Sequence, residues 1–270
     1  MRFDELGDPK APTILMVPGS FCTGDSELPI ARRLCDRFHV VTVTLDGHVK
    51  GGGDYLSKEA STEGMVSWLH GRGIDHLAMA HGTSMGAISV LDVAREGSVS
   101  ADVWFYDGGP FFDLPRPVEN LMRRLFRRVL GIGRRRPDGT PWKIDVDKVL
   151  EGSVLRHFLG DDAPMYREIL GNCAEVCTFV SDATLTNECR TFCECRLPEL
   201  PPDVVRRSVF VWGSKESARA SRKRVQSTYP DAEFIDAEGY NHCGLQCVKP
   251  DEYARLLSEK IAQGRRGPCR

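Results

Sequence analysis

Short apolar runs alternate along this chain with amphipathic segments, and that alternation constrains the fold more than any other feature. Thr13 to Val17 form a continuous apolar run that stops at Pro18-Gly19, and His39 to Leu45 form a second, richer in β-branched residues. Runs of this kind suit strands buried on both faces of a parallel sheet. Between them Leu28, Ile30, Ala31, Leu34 and Cys35 recur at helical spacing, as do Met65, Val66, Trp68 and Leu69 ahead of the next run, Leu77 to Ala80. Val103 to Tyr106, Ser208 to Trp212 and Glu233 to Asp236 add three more strands, with helices over 218–227 and 251–261. The pattern predicts an α/β fold, a mostly parallel, doubly wound sheet with helices on both faces.

The stretch from Phe111 to Pro202 breaks this rhythm, being longer than any crossover needs. Helical spacing over 118–130, 164–177 and 183–195 marks it as an inserted helical unit, closed by Pro198, Pro201 and Pro202. The core is therefore expected over 1–110 and 203–270, and the insertion over 111–202. Lys and Arg number 36 against 38 Asp and Glu, for a net charge of −2, so no global field favours nucleic acid. Met1 to Lys10 is polar and no apolar run approaches membrane length. These features predict a soluble cytoplasmic protein without stable membrane insertion. Ten cysteines in a chain able to bury a large core are expected to stay reduced there.

Gly82-Thr83-Ser84-Met85-Gly86 joins the run Leu77 to Ala80 to a helical run, Ala87 to Ala94. A serine on such a sharp strand-to-helix turn is held in a strained conformation, and side chains at the flanking glycines would collide with neighbouring backbone. The hydroxyl needs a base within hydrogen-bond reach and an acid to orient that base. His242 lies in Gly239-Tyr240-Asn241-His242-Cys243-Gly244, just past the last predicted strand, whereas His39, His70, His76 and His157 fall on predicted strands or helices and His81 is locked at a strand end. Glu216 follows a strand in Gly213-Ser214-Lys215-Glu216, and Asp107, in Asp107-Gly108-Gly109, is a second candidate acid.

With serine, acid and histidine in that chain order, each at the carboxyl end of a strand, the chain resembles the α/β-hydrolase superfamily. The resemblance implies Ser84 as nucleophile, His242 as base, Glu216 as acid and the insertion as a helical cap. It implies oxyanion donors at the Met85 and Ser20 backbone N–H groups, acyl transfer through Ser84, and no cofactor. The chain departs from the family pattern in having Glu where Asp is commoner and Pro18-Gly19 in place of His-Gly. Its first strands are expected to be truncated, because only twelve residues precede Thr13. The function implied is a serine hydrolase acting on a small ester, thioester or related carbonyl substrate. Hydrolysis of a carbon–carbon bond on the same three residues and a non-catalytic small-ligand receptor are the alternatives. Homo-oligomerisation is left open.

Phe21, Phe111, Phe112 and Trp212 stand beside the site loops, either lining an acyl pocket or packing the core. Seven arginines between Arg123 and Arg136 interleave with Leu121, Met122, Leu125, Phe126, Val129 and Leu130. Such a basic amphipathic helix can meet a membrane surface or an anionic substrate, and the reading favoured here is a solvated outer face. Cys173, Cys177, Cys189, Cys193 and Cys195 lack the short knuckle spacing of zinc sites and are read as buried thiols without a metal. Cys243 and Cys247 flank His242 and are expected to make the site sensitive to oxidation.

Overall fold

The computed structural model describes residues 1–152 and 160–265, so His157 lies outside the described residues. Seven strands form one sheet in the order β1-β3-β2-β5-β7-β8-β9. They are β1 (Arg2–Leu6), β2 (Thr13–Val17), β3 (His39–Thr44), β5 (Met79–Thr83), β7 (Trp104–Asp107), β8 (Ser208–Gly213) and β9 (Glu233–Ala237). β4 (His76–Leu77) and β6 (Ser100–Ala101) make a separate short parallel pair. Every pairing in the large sheet is parallel except β1 with β3, where Arg2 faces Thr44 across an antiparallel ladder. β1 falls in the polar stretch Met1 to Lys10, which carries no apolar run. An edge strand needs only one buried flank and tolerates charge, here Arg2 and Glu5, so it carries no apolar run to betray it.

Alternate side chains of the central strands feed two apolar layers. Leu15 and Val17 of β2 pack with Met65 and Leu69 of α2 (Lys58–Gly71) and with Ile88 and Leu91 of α3 (Met85–Glu96). Ile14 and Met16 point the other way, to Ile30 and Leu34 of α1 (Leu28–Leu34) and to Tyr253 and Leu257 near the carboxyl end. Burial on both faces explains why these strands read as unbroken apolar runs.

The insertion contains α4 (Arg116–Leu130), α5 (Val146–Glu151), α6 (Arg167–Val176) and α7 (Asp182–Cys193). The return to the core passes through α8 (Pro202–Arg206), and after β8 and β9 come α9 (Arg222–Thr228), α10 (Gly244–Val248) and α11 (Pro250–Gly264). Pro164 sits in a 3₁₀ segment, Gly160–Tyr166, so the regular helix begins only at Arg167 rather than at 164. The five- or six-residue helices α5, α8 and α10 are too short to show a periodicity. Val176, Leu185, Cys189 and Phe192 join the apolar layer that also holds α2 and α3, so the insertion shares the core's interior. Among the described residues no helix is long and apolar enough to cross a membrane.

Register brings the strand ends to one edge of the sheet. Val17 pairs with Gly82, Thr83 with Asp107, and Asp107 with Val211, so the loops after β2, β5, β7 and β8 emerge side by side. Chain direction across the sheet reverses between β2 and β5, the position where open α/β sheets form a crevice.

Candidate active site

Ser84 stands between β5 and α3 with φ 56° and ψ −118°, a strained conformation for a side chain of this kind. Its neighbours permit it. A Cβ on Gly82 would lie 2.3 Å from the Gly86 carbonyl oxygen, and one on Gly86 would lie 2.1 Å from that of Val17. The Ser84 N–H donates to the Asp107 carbonyl at 2.7 Å, tying the turn to the adjacent strand end. On its other side Gly19 approaches so closely that a Cβ there would sit 3.1 Å from the Ser84 Cβ.

The structure brings Ser84, His242 and Glu216 together. His242 Nε2 is 3.0 Å from Ser84 Oγ, and its Nδ1 makes a hydrogen bond to Glu216 Oε2. The other Glu216 oxygen accepts the Gly213 N–H at 2.9 Å, which fixes the carboxylate. The Glu216 side chain is fully enclosed whereas the His242 ring keeps 41 % of its surface exposed, so the acid is held rigidly and the base faces solvent. Burial pulls the His242 pKa down, but the bond to Glu216 and the charges of Glu216 and Asp107 outweigh it and leave the imidazole above its ordinary value.

Two glycines admit the histidine loop. A Cβ on Gly213 would lie 2.4 Å from the Tyr240 carbonyl oxygen, and one on Gly108 would lie 2.9 Å from His242 Cε1. Asp107, the rival acid, turns elsewhere: its Oδ2 accepts the Tyr253 hydroxyl at 2.7 Å, and that hydroxyl lies 2.8 Å from His81 Nε2. Burial pushes the Asp107 carboxyl up to about 7, the Tyr253 bond and His242 opposing and Glu216 adding to it. His81 is fully buried, and burial drives its pKa down to about 3, so it serves this chain as a neutral ring.

Ser20 is half-buried in the tight turn Gly19-Ser20-Phe21-Cys22, closed by the Cys22 N–H to the Gly19 carbonyl at 3.3 Å. Phe21 takes φ 55° at the third position, where a type II turn normally uses glycine. Met85 opens α3 beside Ser84. The Phe21 ring packs against Phe126 of α4, ring centres 6.1 Å apart. Phe111 is fully buried among Tyr106, Phe210 and Trp212, and Trp212 is enclosed with it, so both rings belong to the core aromatic stack. Phe112 is half-buried where its carbonyl accepts the Cys195 N–H.

Two features of the site have no sequence signal. Asn172 of α6 reaches the loop that follows β2, its Oδ1 accepting the Thr23 N–H at 2.8 Å and its Nδ2 donating to Thr23 Oγ1 at 2.7 Å. Asn172→Ala is expected to loosen that turn and lower kcat by about tenfold, the loss of one to two hydrogen bonds' worth of positioning, with little change in KM. An unchanged kcat in steady-state assays counts against this role.

Behind the serine, Thr83 Oγ1 donates to Gln246 Oε1 at 3.4 Å, and Gln246 Nε2 donates to Glu27 Oε2 at 3.0 Å. These bonds link the end of β5, helix α10 just past the histidine loop, and the 3₁₀ turn Gly24–Glu27. Glu27 is fully buried, and burial pushes its carboxyl up to about 8 against its bonds to Thr83 and Gln246. An unfolded glutamate releases its proton near pH 4.3. The folded state therefore binds a proton that the unfolded state has lost, and stability falls as pH rises between those values. Glu27→Gln is expected to match the parent in Tm near pH 4 and to exceed it by several degrees above pH 8. Parallel Tm curves across that range would contradict the assignment.

The cysteines beside His242 are free thiols raised in pKa. Burial, then the Asp107 and Glu216 charges, push the Cys243 thiol up, and burial lifts Cys247 to about 12. Both shifts disfavour the thiolate, the form that oxidises. Cys173 and Cys177 lie 3.8 Å apart at sulfur on α6 and just beyond it.

Comparison with known proteins bears on the family and the fold. Residues 14–256 match the model of the Alpha/beta hydrolase family. No curated protein matches the sequence. Among solved structures the chain is similar to MenH from S. aureus at 13% identity, with 97% of this chain and 98% of that chain covered and a TM-score of 0.73. It is similar to the enol-lactonase from Burkholderia xenovorans LB400 at 13% identity, covering 97% and 96%, with a TM-score of 0.71. A thermophilic esterase from Thermogutta terrifontis gives 14% identity, coverage of 97% and 93%, and a TM-score of 0.69. At such identities the likeness carries the fold alone.

Proposed function

The chain belongs to the α/β hydrolase family, and from that premise we propose that it is a serine hydrolase cleaving a small ester, thioester or related carbonyl substrate through an acyl-enzyme on Ser84. The observation that supports this most directly is the 3.0 Å contact between Ser84 Oγ and His242 Nε2, with Glu216 on the opposite ring nitrogen. His242 takes the hydroxyl proton as Ser84 attacks the carbonyl carbon, and returns it to the leaving group as the tetrahedral intermediate collapses. Water then attacks the acyl-enzyme by the same route in reverse order, releasing the acid and restoring the serine.

Glu216 holds the imidazole with Nδ1 protonated, so that Nε2 presents its lone pair to Ser84, and it stabilises the imidazolium formed in each step. The Ser20 and Met85 N–H groups are proposed to receive the negative charge that develops on the substrate oxygen, where one such donor is worth about 3 kcal/mol. The insertion is proposed as a cap over the site, since Phe126 contacts the turn that carries Ser20 and Asn172 binds Thr23 just after it. Relatives of this fold named as an esterase and an enol-lactonase support the ester class.

A fluorophosphonate tests the proposal, because it reports an activated serine without knowledge of the natural substrate. Labelling of Ser84, mapped by peptide mass and lost in Ser84→Ala, is the expected result. A folded chain that neither labels nor hydrolyses any member of an acyl-ester panel would refute it and favour a non-catalytic receptor.

A further inference from the structure

The sequence leaves the basic helix as a solvated outer face, but its exposed side is not uniformly polar. Leu121, Leu125 and Val129 of α4 are 66%, 55% and 59% exposed. Spaced four residues apart, they form one stripe about 12 Å long on the helix surface. Met122, Phe126 and Leu130 already anchor the helix to the interior, so the stripe is surplus to folding. Arg124 and Arg128 flank it, both exposed and without an ion pair among the described residues. From Arg116 to Arg136 the chain carries eight arginines and a single acid, Glu119, in a protein whose net charge is −2.

We propose that α4 is a docking surface for a membrane carrying anionic headgroups. The apolar stripe would enter the boundary between headgroups and acyl chains while Arg124 and Arg128 lie level with the phosphates, the arrangement that holds amphipathic helices at an interface. Charge selects this occupant. A second copy of the chain would bring arginine clusters face to face, and three side chains offer far less than the roughly 800 Å² per partner of a stable interface. A nucleic acid would neutralise the arginines but leave the leucines in water, and the exposed apolar side chains of α4, Leu121, Leu125 and Val129, offer no aromatic ring for base stacking. The same helix packs Phe126 against Phe21, so docking would bring the Ser20 turn close to the lipid surface.

Cosedimentation of the full chain with vesicles of phosphatidylcholine, with and without phosphatidylglycerol, tests the surface independently of any turnover. The expected result is binding to the phosphatidylglycerol vesicles alone, weakened by salt. Leu121→Asp with Leu125→Asp should abolish it with an unchanged far-UV circular dichroism spectrum. Arg124→Gln with Arg128→Gln should lower the partition coefficient about thirtyfold, each arginine near an anionic surface being worth about fivefold. Absence of binding, equal binding to both vesicles, or binding indifferent to the leucine pair overturns the proposal. So does self-association in solution that the leucine pair abolishes, or retention on heparin without any retention on vesicles. Because sedimentation does not require a reactive Ser84, failure here and failure of fluorophosphonate labelling are separable.

Discussion

His242→Ala is expected to lower kcat for ester hydrolysis by about 10⁵, while thermal unfolding stays within a few degrees of the parent. The size follows from the geometry. The ring is the group 3.0 Å from Ser84 Oγ, and without it the hydroxyl must attack with its proton in place. At about 1.4 kcal/mol per tenfold, the loss corresponds to roughly 7 kcal/mol of transition-state stabilisation. The fold should survive because the side chain is 41% exposed and holds no core contact that alanine would open into a cavity. The pH profile provides a second check. Only the neutral imidazole can accept the proton, and its pKa lies above the ordinary value, so kcat/KM should rise through an acid limb displaced upward from that of free histidine. A variant that keeps its rate, or a parent profile flat across that limb, removes His242 as the base.

Much of the frame around that histidine can be read from the chain because it rests on burial. β2, β3, β5, β7 and β8 are fully enclosed, so each declares itself as an apolar run, and Ser84, Glu216 and His242 follow strands closely enough to be placed at one edge of the sheet. β1 escapes because an exposed edge needs no apolar run. Asn172 and Gln246 escape for another reason. Their partners Thr23 and Glu27 lie 149 and 219 positions away, and nothing in the local spacing of either residue distinguishes it from a solvated amide. The sequence around Phe111 fits pocket and core equally, and its place in the Tyr106, Phe210 and Trp212 stack follows from tertiary packing alone. The choice of acid is of the same kind: Glu216 and Asp107 both follow strands, and only the direction each carboxylate faces separates them.

That choice yields the second large effect. Glu216→Gln is expected to lower kcat by about 10⁴, the scale on which replacing a triad acid by its amide misorients the imidazole. Glu216 accepts from His242 with one oxygen and from the Gly213 N–H with the other. Glutamine has a single acceptor oxygen, so one of those donors loses its partner, and the imidazolium loses the charge that stabilises it. Burial and the weaker pull of the Asp107 charge are what remain on the ring, and the residual activity should show its acid limb at lower pH than the parent's. Asp107→Asn should cost no more than about tenfold, the worth of one neutral hydrogen bond, since Asn still offers an oxygen to the Tyr253 hydroxyl. Burial pushes the Asp107 carboxyl up to about 7, which disfavours a permanent anion there for a histidine to lean on. Parallel kinetics on the two variants decide between them: a greater loss at Asp107, or an acid limb that moves only there, transfers the role of acid to that residue.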